Sequence, residues 1–129
     1  MLLAEQKVVF AWLFDVKQTL SYSQRLHQRE DFESAIKSRP IIEKWLALHL
    51  QPNNHHMARL GIVISKRIVP KAISRNGLKR LIREEFRIQN CQKSINLVFR
   101  LRSKVLKEEK VEFRRTLSSI IAKARMREV

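Results

Sequence analysis

Cysteine is almost absent: Cys91 is the single thiol in 129 residues, which excludes an intramolecular disulfide framework and a four-cysteine zinc site and fits a reducing, cytoplasmic setting. Glycine and proline are scarce as well, with two and three copies, too few for a collagen-like or low-complexity chain. Gly61 and Gly77 stand alone, so no glycine-rich loop exists to cradle a phosphate. The apolar run from Val8 to Phe14 is far short of the ~20 residues that cross a bilayer. It also lacks the positive leader of a signal peptide, because Glu5 precedes it and Asp15 follows. Residues 1–20 therefore read as an N-terminal appendage, and residues 21–129 as one domain whose 44% hydrophobic content suffices for a core.

Acidic side chains are few. Against 12 Asp and Glu stand 27 Lys and Arg, a formal charge of +15. A small domain carries that much self-repulsion when a polyanion offsets it, nucleic acid first and an anionic membrane second. The excess is local: residues 1–58 are nearly balanced, whereas residues 59–87 hold nine basic and two acidic side chains. That dense segment lies between apolar stretches, so its charge belongs to a folded surface and not to a tail.

Protein-only catalysis finds no support in the motifs. The four histidines, His27, His49, His55 and His56, show no HExxH or paired His/Cys spacing, and no carboxylates cluster as a two-metal nuclease requires. Neither a catalytic nor a metal-binding residue is assigned on the chain.

Periodicity suggests an α+β order. Phe32, Ala35 and Ile36 suit a short amphipathic helix within Leu26 to Ser38. Lys44 to Leu50 alternates, with Leu46, Leu48 and Leu50 on one face and Trp45, Ala47 and His49 on the other. Leu60 to Ser65 is apolar on both faces, as an interior strand would be, and an antiparallel hairpin between these two strands is expected. Ile95 to Ser103 alternates again, and residues 108–125 repeat Phe113, Leu117, Ile120, Ile121 and Ala124 at helical intervals.

The segment Ser74 to Gln89 reads as a helix capped by Ser74. At about 100° per residue, Leu78, Leu81, Ile82, Phe86 and Ile88 share an arc that faces the sheet. Arg75, Lys79, Arg83 and Arg87 form a ridge on the other side, with Asn76 and Arg80 beside it. A solvated face would normally mix signs at such spacing. An all-cationic ridge suits phosphate recognition, where guanidinium groups bind oxygens in pairs. Trp45 and His49 either pack beneath the first helix with Phe32 or, with Val98, Arg100 and Arg102, form an apolar floor and cationic wall for unstacked bases.

The run Arg59-Leu-Gly-Ile-Val-Ile-Ser-Lys-Arg-Ile-Val-Pro-Lys-Ala-Ile-Ser-Arg-Asn-Gly-Leu-Lys-Arg-Leu-Ile-Arg-Glu84 resembles the signature of the bacterial ribonuclease P protein component. Arg25-Leu26, Asp31-Phe32 and Asn96 to Arg100 follow the same family order, so the resemblance covers roughly residues 25–125. It implies a two-layer α/β sandwich like the second domain of ribosomal protein S5, with a left-handed βαβ crossover against the usual preference. It also implies a ribonucleoprotein in which a catalytic RNA, with Mg2+ bound mainly by that RNA, hydrolyses precursor tRNA to release its 5′ leader. The protein would be a monomer in that holoenzyme, with no membrane partner. Carried over by position, Lys66, Arg67, Arg75, Asn76, Lys79, Arg80 and Arg83 would contact RNA, and Lys71 and Arg87 are counted with them as basic neighbours. Phe32, Ile36 and Arg100 would line the leader cleft, joined by Trp45, His49 and Arg102. The chain departs from the pattern at Gly77, where Arg is usual, at Ile36, where an aromatic often stands, and around Ala47 or His49, where the cleft tyrosine has no counterpart. A ribosomal or general structured-RNA-binding protein without a nuclease role shares the charge, and a self-sufficient nuclease is the third alternative.

Overall fold

Among the described residues, period-two and period-3.6 patterns resolve into four strands and three α-helices. The computed structural model describes residues 22–127 apart from 90 and 92; the expected appendage at 1–20 lies outside the described residues. In chain order the elements are α1 (Arg29–Ile36), β1 (Ile41–Ile42), β2 (Leu46–Pro52), β3 (Arg59–Val63), α2 (Ala72–Gln89), β4 (Ile95–Leu101) and α3 (Lys110–Met126). No described helix is long and apolar enough to cross a membrane.

The strand order is β1-β2-β4-β3, which corrects the expected hairpin. β4 lies between the two strands, antiparallel to β2 from Leu46↔Leu101 to Pro52↔Ile95 and parallel to β3 from Arg59↔Asn96 to Val63↔Arg100. The reason is the long α2 crossover: it carries the chain back over the sheet and lets β4 pair with both neighbours. The strands buried on both faces are therefore the two inner ones, β4 with Ile95 to Phe99 all buried and β2 with Leu46 to Leu50 all buried. β3 is an edge strand, not an interior one. Its outer edge is partly closed by the segment before α1, where the Leu26 amide donates to the Leu60 carbonyl at 2.8 Å.

One face of the sheet carries the main core. Leu46, Leu48, Leu60, Leu97 and Phe99 meet Leu78, Ile82 and Phe86 of α2 and Phe113, Leu117, Ile120, Ile121 and Ala124 of α3. Each such Leu, Ile or Phe side chain contributes roughly 1.5–3 kcal/mol through burial. At the entrance to α3 the Leu106 amide donates to Glu109 Oε1 at 2.9 Å, and Lys123 and Arg125 occupy the last turn, where cations oppose the helix dipole.

Trp45 also belongs to this core, 2% exposed and edge-on to Phe113 with ring centroids 5.6 Å apart. It does not share the His49 face, as alternation suggested. The chain bends at Lys44 and Trp45, so alternation starts only at Leu46 and cannot be extended one residue back. Two details of α2 differ as well. The helix starts at Ala72, with the Arg75 amide bonded to the Lys71 carbonyl at 3.0 Å, so Ser74 sits inside the first turn and is not a cap. Ile88 is 56% exposed, because only Leu78, Ile82 and Phe86 hold the spacing that keeps a helix face on the sheet.

Among the described residues, α1 is the helix that covers the opposite face. Ala35, Leu26 and Val98 are buried together, with Phe32 and Val63 beside them. Phe32 lies so close to β3 that a Cβ on Gly61 would stand 2.5 Å from its Cε1. Gly77, by contrast, has nothing within 4 Å of the same position. Alanine at the two glycines should therefore act in opposite directions in urea unfolding. Gly61→Ala is expected to destabilise by ~1–3 kcal/mol through overpacking, and less so when Phe32 is also truncated. Gly77→Ala is expected to stabilise by up to ~1 kcal/mol.

Candidate nucleic-acid interface

The edge of β3 is where the cationic residues converge. A cavity of about 240 Å3 runs along it, lined by Arg25, His27 and Phe32 on one side, Leu60 to Ile62 at the base, and Lys79 and Arg83 of α2 on the other. Arg59 fixes the near wall: its Nε donates to the Ser23 carbonyl at 3.1 Å and its Nη2 to the Arg25 carbonyl at 3.2 Å. Arg25 is thereby held at the groove with its Nε buried and without a hydrogen-bond partner among the described residues. Burial, and then the Arg25 guanidinium nearby, lower the Arg83 pKa below the ordinary arginine value. Two guanidinium groups and an ammonium thus share a half-buried groove with no carboxylate lining it among the described residues, an arrangement that an oxyanion would relieve.

The remaining ridge residues divide by location. Lys79, Arg83 and Arg87 are half-buried along the helix flank, whereas Asn76 and Arg80 are exposed one step around it. Arg75 folds back, its Nη1 donating to the Val69 and Pro70 carbonyls at 2.9 and 2.8 Å, so part of its hydrogen-bonding capacity secures the turn ahead of α2. Lys66 and Arg67 are exposed in that turn and Lys71 at its end. Ser65 shapes the turn, accepting the Arg67 amide on its Oγ at 3.0 Å and the Ile68 and Val69 amides on its carbonyl.

On the α1 face the strand register sets out rows. His49, Val98 and Gly61 form one row, and Ala47, Arg100 and Val63 the next. α1 roofs the first row through Phe32 on Gly61, Ala35 on Val98 and the Ser38 carbonyl on His49. At its margin Phe32, Arg100 and Val63 are half-buried and Ile36 is 39% exposed. These side chains lie on the α1 face of the sheet and are apolar apart from one guanidinium. His49 does not offer a stacking surface, being 3% exposed, and Trp45 lies in the core on the other side of the sheet. Arg102 falls past the end of β4 and is held over the start of β2, its Nη1 donating to the Glu43 carbonyl at 3.4 Å.

The third helix looks equally basic in sequence but differs in its partners. Arg114 faces Glu84 at 3.9 Å, Lys44 lies 3.8 and 3.6 Å from Glu109 and Glu112, and Lys123 pairs with Glu43. Such exposed pairs stabilise little, yet they offset the charge of Lys44, Arg114 and Lys123. Among the described residues none of Arg25, Lys66, Arg67, Lys71, Lys79, Arg80, Arg83 or Arg87 forms an ion pair. No three His, Cys, Asp or Glu side chains among the described residues gather as a metal site.

Arg25, His27, Arg59 and Gly61 were the site residues least visible in the pattern. Gly61 had one signal, an isolated glycine within a strand, which marks a close backbone approach. Arg25 and Arg59 act through contacts between segments far apart in sequence, which periodicity does not encode.

Comparison with known proteins places this arrangement. The family model described as Ribonuclease P matches residues 20–125. The ribonuclease P protein component of Nitrosomonas eutropha is 42% identical over 72 residues, which cover 54% of this chain and 60% of that protein. The chain thus spans about 60% of the length of that relative in the match. A Dehalococcoides mccartyi protein of the same name is 28% identical over 108 residues, 83% of this chain and 89% of its own. The RNase P protein from Thermotoga maritima shares the fold with a TM-score of 0.62 at 26% identity, covering 81% of this chain and 97% of that one. With its groove, its helix ridge and its sheet all inside the matched span, the chain belongs to the ribonuclease P protein family.

Proposed function

We propose that this protein is the protein subunit of ribonuclease P. It binds a catalytic RNA through α2 and the preceding turn, and holds the 5′ leader of precursor tRNA in the cleft between α1 and the sheet. The RNA performs the hydrolysis with Mg2+ that it holds itself, and the protein acts as a monomer in the cytoplasm. The observation that carries this reading is the groove itself: Arg25, Lys79 and Arg83 share it with Phe32 and none of the three is in an ion pair among the described residues, whereas Arg114 and Lys123 of α3 face carboxylates. A uniformly basic packaging protein has no need of that asymmetry.

On this reading the side chains do three things. Lys79, Arg80 and Arg83 neutralise phosphates, Asn76 adds a neutral donor and acceptor on the same face, and Phe32 with Ile36 gives bases an apolar surface to rest on. Positioning the leader beside the RNA's reacting centre lowers the barrier through orientation, without a protein nucleophile.

Purified protein added to a bacterial ribonuclease P RNA and precursor tRNA at low Mg2+ should raise 5′ cleavage above RNA alone, and the protein by itself should cleave nothing. No gain over RNA alone would refute the proposal. With about five cations on phosphates, the log–log salt slope of RNA binding should be about −3.5 to −4.5. Arg83→Met should flatten that slope by roughly 0.7–0.9, while raising the urea midpoint of the free protein by removing one of two like charges. Arg114→Gln, which alters a cation already facing Glu84, should leave the slope unchanged.

A further inference from the structure

His49 is buried where the leader cleft meets the roof of α1, and both its ring nitrogens have partners. Nδ1 lies 3.1 Å from the Ser38 carbonyl oxygen, and Arg100 Nε lies 3.5 Å from Nε2. The two residues are diagonal neighbours on the same face, since His49 pairs with Val98 and Arg100 lies two positions along β4. A carbonyl only accepts and a guanidinium only donates. Both contacts are therefore satisfied by one species alone, the neutral ring with its proton on Nδ1.

We propose that His49 is a positioning residue for leader binding: its neutral ring fixes Arg100 at the margin of the cleft, and protonation releases Arg100 and weakens the hold on the leader. This rests on the cleft reading given above and adds to it a residue that does not itself touch RNA.

Protonation would place an N–H at Nε2 against the N–H of Arg100, with two positive charges in contact. No carboxylate among the described residues forms an ion pair with His49. From β4 the charged neighbour is Arg100; from the turn after α1 come the Ser38 carbonyl, with Lys37 and Arg39 on either side of it; β1 contributes only Ile41 and Ile42. Of the α1 carboxylates, Glu33 pairs with Arg29, and neither Glu30 nor Asp31 forms an ion pair with His49. Burial above all, with Arg100 adding to it, outweighs the Ser38 bond and holds the His49 pKa below its ordinary value. The sign follows: the unfolded chain takes up the proton first, so stability is full above about pH 6.5 and falls as pH drops toward the folded pKa.

The test is the ratio of equilibrium affinities of the holoenzyme for precursor and mature tRNA, measured from about pH 8 down past the ordinary histidine value. The wild-type ratio should fall as pH falls. His49→Gln, which retains a donor and an acceptor but cannot titrate, should keep the ratio and lose its pH dependence. His49→Leu should lower the ratio roughly tenfold at high pH, as Arg100→Gln does, and the double variant should be no worse than either. Identical pH profiles for wild type and His49→Gln would overturn the proposal, whether or not His49→Leu folds. So would an unchanged ratio in His49→Leu beside a lowered one in Arg100→Gln. An unchanged ratio in Arg100→Gln would refute the cleft reading itself, and His49 with it.

Discussion

The close approach of Phe32 to β3 sets the shape of both candidate binding surfaces. It exists because Gly61 has no Cβ, the space for which lies 2.5 Å from the Phe32 ring edge. With the ring seated there, α1 comes down far enough for Ala35 to cover Val98 and for the Ser38 carbonyl to reach His49. The same ring is one wall of the groove that holds Arg25, Lys79 and Arg83. A longer residue at position 61 would lift the helix, opening the cleft and loosening the groove together. Packing on one side of an edge strand thus decides the geometry of a polar site on the other.

Charge is handled in two ways within one small domain. Around α3, carboxylates at positions 43, 84, 109 and 112 pair with Lys44, Arg114 and Lys123, offsetting part of that flank's charge. Along β3 and α2 the cations face each other, and Arg83 is half-buried beside Arg25. Like charges at such range destabilise the free fold. The main core offsets that repulsion with buried side chains from two helices and the sheet, and a bound polyanion would convert the repulsion into affinity. The overall charge of +15 is therefore less informative than its placement.

Much of this was legible in the sequence where one element sufficed to express it. The α3 repeat of Phe113, Leu117, Ile120, Ile121 and Ala124 is fully buried, and the α2 ridge runs along the flank beside Leu78, Ile82 and Phe86, about 100° around the helix from them. Strand order was not legible, because alternation says which face a residue occupies and nothing about which strand lies next to it. Trp45 was misplaced because a bend ended the alternation one residue before the strand began. His49 was assigned to the correct face, but its burial depends on α1, whose docking turns on a glycine in another strand. Arg25 joined the groove only through Arg59 and the Leu60 carbonyl, contacts made across more than thirty positions of chain.

The central claim is that two neighbouring surfaces divide the labour, the cleft taking the leader and α2 taking the catalytic RNA. It is tested most directly by photo-crosslinking in the assembled holoenzyme with precursor tRNA. In a Cys91→Ser background a thiol-linked crosslinker would be placed in turn at Ile36, at Arg80 and at Arg115, all exposed positions. The account predicts crosslinks from position 36 to the 5′ leader, from position 80 to the catalytic RNA, and few from position 115. Crosslinks dominated by position 115, or leader crosslinks from position 80 with none from position 36, would contradict it.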